Sequence, residues 1–186
     1  MAKLKNKKPL KQKTPFGCFV TCLNMAEQTF SGSLKFDKNK ELKMFVKYAN
    51  FDREFGEPAL IKDLIDRGYD VKIFTEAPYV RWRMDNLFKK LRTRPKISLF
   101  SFSENFLDTL LKSGNVLVVM LDKWYLDMSV HTPHYVFIKD ADKDSYYIND
   151  PWLGEEMRIS KSRLTEAVFE MKTRLNFSPV VYAVKG

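Results

Sequence analysis

Three residues that lie far apart in the chain have the side chains that nucleophilic catalysis needs: Cys18, His134 and Asp150. Cys18 stands in Q-K-T-P-F-G-C-F-V-T-C, His134 in T-P-H-Y-V-F-I-K-D and Asp150 in Y-Y-I-N-D-P-W. A thiolate attacks carbonyl carbon, an imidazole carries the proton, and a carboxylate orients the imidazole. Such groups come together only in the fold, so their distance in sequence is the expected pattern. The set names a chemistry and leaves the substrate open.

Each residue also has a plainer reading. Cys18 is either a nucleophile in the first turn of a helix, where the N-terminus and a nearby imidazolium favour the thiolate, or a small buried hydrophobe. Gly17 before it removes a side chain that would obstruct approach to the sulfur, and Cys22, one turn deeper, reads as core. His134 opens an alternating apolar strand, as a catalytic base or as a structural strand-end histidine; His131, in V-H-T-P, reads as a surface loop residue. Asp150 precedes Pro151, so Asp-Pro is either a turn or an orienting carboxylate that accepts the imidazole Nδ1 proton. Asn149 and Asp150 point to opposite faces of one strand, and only one of them can serve.

The same atoms permit a zinc reading, with Cys18 and Cys22 supplying thiolates and His131 and His134 supplying imidazoles. A C-x3-C on one helix with H-x2-H is not a common structural-zinc spacing, and it leaves Gln12 and Asp150 without a role. No glycine-rich phosphate loop is present. No metal and no cofactor are expected.

The elements that must carry these residues can be read from periodicity. Apolar positions 16, 19, 20, 23 and 26 after Pro15 predict a helix over Phe16–Phe30 with Cys18 in its first turn. Residues 40–50 and Glu57–Arg67 predict two further helices, the latter stopped by Gly68, and Tyr69–Phe74 alternates as a strand. Residues 79–102, where basic and aromatic side chains mix, resist assignment. Ser103 caps a helix over 104–112 closed by Gly114, and Asn115–Leu121 is a buried strand. His134–Lys139 and Ser145–Asn149 form a hairpin, Ser160 caps a helix to about Lys172, and Val180–Val184 closes the chain as a strand. Helices come first and a mostly antiparallel sheet follows, which is an α+β fold.

Composition supports a packed core, with 45% hydrophobic residues, 15 Phe and 8 Tyr in 186 residues. The formal charge of +9 is uneven, because residues 1–13 hold six lysines and no acid. The expected organisation is a basic arm over 1–13 and one domain over 14–186. The arm is either solvated or holds an acidic partner; no aromatic interleaves its lysines, which argues against nucleic acid. The longest apolar run, Val116–Leu121, is too short to span a bilayer, and the N-terminus lacks the apolar stretch of a signal peptide. These features predict no membrane association and a cytoplasmic location, where two cysteines one helical turn apart remain reduced thiols.

Taken together, the motifs resemble the C39-like, bacteriocin-processing-type branch of the papain-like cysteine peptidases, over the stretch from Gln12 to about Ser160. Gln12 lies six residues before Cys18, His134-Tyr-Val-Phe-Ile matches a histidine-led strand, and Asn149-Asp150-Pro151 with Gly154 matches the strand-ending carboxylate. E-P-A-L-I-K-D-L-I-D-R-G-Y-D-V is similar to the helix-to-strand piece of such proteins. The resemblance implies a papain-like fold and a hydrolase or acyltransferase acting on a peptide or isopeptide carbonyl. It makes Cys18 the nucleophile, His134 the base and acid, Asp150 the imidazole orienter and Gln12 an oxyanion donor. Relatives place glycine after the cysteine; here Phe19 follows, either reshaping the substrate groove or marking a member that has drifted from peptidase activity. A non-catalytic module holding an acidic partner is the reading opposed to enzymatic chemistry.

Overall fold

The computed structural model describes residues 8–32, 36–52 and 54–186. Four helices lead or interrupt the first strands: α1 (Cys18–Ser31), α2 (Lys38–Phe51), α3 (Glu57–Asp66) and, after β1 (Asp70–Thr75), α4 (Pro78–Lys90). There follow β2 (Lys96–Leu99), α5 (Glu104–Lys112), β3 (Val116–Asp122) and the short α6 (Trp124–Asp127). The hairpin β4 (Pro133–Ala141) and β5 (Ser145–Asp150) continues into β6 (Glu155–Ser160), and α7 (Lys161–Thr173) and β7 (Val180–Lys185) complete the chain.

The seven strands form one sheet in the order β2-β1-β7-β3-β4-β5-β6. Every pairing is antiparallel except that of β1 with β2. The α+β expectation holds, and the sheet is covered on both faces. Val116 and Val118 of β3 pack with Phe19, Leu23, Leu60 and Met84 from α1, α3 and α4. Leu117, Val119 and Leu121 pack on the other side with Leu107, Leu164 and Val168 from α5 and α7. A strand buried on both faces must be apolar at every position, which is why 116–121 reads as a continuous run instead of alternating.

Residues 79–102, unassigned from sequence, form most of α4 and β2. Pro78 at the first helical position starts α4. Its apolar face holds only Val80, Met84, Leu87 and Phe88, while Tyr79 and Trp82 remain exposed, so exposed aromatics blur the helical period. β6 is also beyond the sequence reading: Glu155, Glu156 and Arg158 on an edge strand carry little apolar alternation.

Residues 1–7 of the basic arm lie outside the described residues. Of the remainder, Leu10 packs against the helix-side core, Gln12 is buried, and the Gln12 amide donates to the Pro151 carbonyl at 2.7 Å. Among the described residues, no helix is long and apolar enough to cross a membrane.

Candidate active site

The site gathers at the end of the sheet where β3 and β5 finish and β4 begins. The register pairs Phe137 with Asn149 and Ile138 with Ile148. Extended by one residue, this register sets Asp150 opposite Val136 and diagonal to His134. His134 shares its strand face with Val136, and Asp150 with Ile148, so the two side chains emerge on one side. His134 Nε2 meets Asp150 Oδ1 at 2.7 Å. Asn149 belongs to the opposite face and is buried with no hydrogen-bond partner at Oδ1. The nitrogen roles are the reverse of the sequence expectation: Nε2, not Nδ1, engages the carboxylate, so Nδ1 is left for the thiol.

Both partners are nearly inaccessible, with side-chain exposures of 5% for His134 and none for Asp150. Burial alone would lower the histidine pKa. Hydrogen bonds to Asp150 and to Cys18, with the charges of those two groups, outweigh it and push His134 up to about 9. Cys18 is therefore near enough to the ring to act on its charge. It is half-buried, the first residue of α1, with Gly17 as N-cap. Its amide is one of the first-turn N–H groups with no intrahelical acceptor. Cys22 differs in every respect. It is fully buried, its thiol donates to the Tyr135 carbonyl at 3.4 Å, and burial raises its pKa well above the usual value.

Gln12 reaches the site through the chain on either side of it. Its amide bonds the turn after Asp150, and its Nε2 donates to the Thr14 carbonyl at 2.7 Å. Gly154 makes this close packing possible, since a Cβ there would lie 2.6 Å from Lys11 Cβ. Trp152 N donates to Asp150 Oδ1 at 2.8 Å, so the turn itself fixes the carboxylate that holds His134. The structure thus brings Cys18, His134 and Asp150 together and seats Gln12 against the Asp150 turn.

Two expectations are corrected. Phe19 does not line a groove: it is 3% exposed and packs with Tyr135 and Tyr182 at centroid distances of 4.8 and 5.0 Å. Gly17 has a further role beside the one expected, since a Cβ there would come within 2.2 Å of Glu41 Oε1. His131 is half-buried, its Nδ1 2.6 Å from the buried Asp122 Oδ2 and its ring stacked on Trp124. With His131 paired to Asp122 and Cys22 to a carbonyl, the zinc set is dispersed. Among the described residues, no group of three or more His, Cys, Asp or Glu converges as a metal cage.

Two features of the site escaped sequence reading. Glu41 is the one buried residue of α2, and nothing in K-N-K-E-L-K marks it. Asp122 ends the apolar run of β3, and a charged residue closing a buried strand was its one available signal. Phe16, two residues before the thiol, is 73% exposed and stacks on Phe45 of α2.

Residues 85–169 match the model of a family described as "Peptidase_C39 like family", a span that contains His134 and Asp150 but not Cys18. No curated protein matches the sequence significantly. Among solved structures, a protein from Bacillus anthracis described as a "putative C39-like peptidase" superposes with a TM-score of 0.52. It is 16% identical, and the superposition covers 97% of this chain and 96% of that one. The resemblance read from the motifs is borne out: the chain matches the Peptidase_C39 like family over residues 85–169 and has the fold of a C39-like peptidase over nearly its whole length.

Proposed function

We propose that the protein is a cysteine peptidase-like hydrolase or acyltransferase acting on a peptide or isopeptide carbonyl. The observation that carries this reading is His134, bonded to Asp150 at 2.7 Å on one edge and within reach of Cys18, at a helix N-terminus. His134 beside Cys18 is placed to take the thiol proton, so that attack proceeds through a thiolate–imidazolium pair.

In the proposed reaction Cys18 Sγ forms a bond to the carbonyl carbon, and the π electrons move to the carbonyl oxygen. The Cys18 amide and Gln12 Nε2 donate to that oxygen; the second Nε2 hydrogen of Gln12 remains after its bond to Thr14 O. Collapse breaks the C–N bond, and the departing amine takes the proton from His134. Water, or an acceptor amine, then attacks the thioester, gives its proton to His134 and expels the Cys18 thiolate. Asp150 keeps the imidazole oriented throughout.

The test is acylation by p-nitrophenyl acetate, followed by release of nitrophenolate and by peptide mapping. Acetyl on Cys18, lost in Cys18→Ala and strongly slowed in His134→Ala, supports the reading. Acetylation elsewhere, or at Cys18 at the same rate without His134, overturns it.

A further inference from the structure

Glu41 has no part in the triad, yet it is among the most completely engaged side chains near it. It lies on α2, is fully buried, and both carboxylate oxygens accept from the segment just before the nucleophile's helix. Lys13 N donates to Oε2 at 2.7 Å, Thr14 N to Oε1 at 2.7 Å and Thr14 Oγ1 to Oε1 at 2.7 Å. Among the described residues no lysine, arginine or histidine forms an ion pair with it. A buried carboxylate satisfied by hydrogen bonds alone has given up its water shell for fixed donors. Moving any of those donors leaves it uncompensated, so the arrangement is rigid.

What this rigidity fixes is the path from Gln12 to Cys18. Gln12 Nε2 donates to the carbonyl of Thr14, whose own N–H and hydroxyl are held by Glu41. Gly17 N donates to the same Thr14 carbonyl at 3.2 Å, closing a turn that delivers the chain into α1 at Cys18. Gly17 leaves the room that Glu41 needs, since a Cβ there would lie 2.2 Å from Glu41 Oε1. One carboxylate therefore sets the residues that follow Gln12 and lead to Cys18, the two expected oxyanion donors.

We propose that Glu41 is a positioning residue: its carboxylate clamps Lys13 and Thr14 and thereby aims Gln12 Nε2 at the oxyanion formed on Cys18. The inference rests on the reading of Gln12 and Cys18 given above. Glu41 touches no reacting atom, and its effect passes through Gln12.

Two reactions at one sulfur isolate that effect. Attack on p-nitrophenyl acetate builds an oxyanion, forms the C–S bond and releases nitrophenolate. Alkylation by iodoacetamide displaces iodide directly, with no oxyanion to hold. Removing one oxyanion donor costs about 100- to 1,000-fold in acyl transfer, so losing its aim should cost at least about tenfold. Glu41→Ala should slow Cys18 acylation by that factor and leave iodoacetamide alkylation at the same pH within about threefold. Gln12→Ala should show the same split, and the double variant should be no slower than Gln12→Ala alone, because both act through one donor. Where alanine at 41 does not fold, Glu41→Gln keeps the volume and one acceptor oxygen and should give the same split at smaller size. Parallel loss of both reactions in the Glu41 variants, or a further full loss when added to Gln12→Ala, overturns the proposal while Gln12 keeps its role. No split in Gln12→Ala overturns the oxyanion role of Gln12 and the clamp's purpose together. Slow alkylation of the unaltered protein would instead strike at the nucleophile itself.

Discussion

Asp150 lies diagonal to His134 across the β4–β5 pair and holds its Nε2 at 2.7 Å, while the adjacent Asn149 faces the other side of the sheet. The alternation of a strand makes these two neighbours mutually exclusive partners for one imidazole. Asp150→Asn should lower acyl transfer by an order of magnitude or more and depress iodoacetamide labelling of Cys18 most strongly below neutral pH, where the imidazolium sustains the thiolate. Asn149→Ala should change the rate little. The reverse ranking, measured as labelling rate against pH for each variant, would contradict the assignment.

The two thiols should separate cleanly in the native protein. Cys18 is half-buried beside His134, whereas Cys22 is fully buried with its pKa pushed well up by desolvation. Iodoacetamide at neutral pH should label Cys18 at least about tenfold faster than Cys22, the latter reacting only as the protein opens. Cys18→Ala should leave the melting temperature nearly unchanged, since the thiol packs only at the edge of the core. Equal, slow labelling of both would mark Cys18 as an inert core thiol.

The His134 pKa carries a signed stability effect. A group pushed from 6.5 to about 9 on folding contributes stability that is complete below about pH 6.5 and disappears as pH rises through about 9. Its ceiling is of the order of 3 kcal/mol, set by the size of the shift. Urea unfolding between pH 6.5 and 9.5 should show the parent protein losing more stability than His134→Gln over that window. Identical pH slopes would mean that the ring is not held charged in the folded state.

The candidate triad was more legible than its supports, for a physical reason. Cysteine and histidine occur only twice each, Asp150 is marked by the strand-ending N-D-P, and the period of two on β5 separates Asp150 from Asn149. Glu41 was illegible because a buried acid on a lysine-rich helix has the same local pattern as a solvated one; its three donors come from residues 13 and 14, far away in sequence. The nitrogen assignment of His134 was equally hidden, as it depends on how the ring is turned and not on any residue's identity. The helix α4 was lost because its exposed face carries Tyr79 and Trp82, which mimic core positions. The mostly antiparallel sheet was readable from hairpin spacing, whereas the parallel β1–β2 pair, joined through α4, required that missing helix.

Phe19, the departure from the glycine that resembling sequences carry after the cysteine, separates packing from chemistry. It packs among Tyr48, Tyr135 and Tyr182, and the hydroxyls of Tyr48 and Tyr135 donate to the buried Glu57 at 3.4 and 3.0 Å. Burial raises the Glu57 pKa against the pull of those two bonds. Phe19→Ala should therefore leave a cavity against a polar cluster and cost roughly 3–5 kcal/mol, read by denaturant titration. At temperatures where the variant stays folded, Cys18 alkylation should remain within a few-fold of the parent, because the His134–Asp150 pair lies beyond the cavity. A variant of near-normal stability with altered substrate preference would restore Phe19 to the substrate groove and contradict its placement in the core.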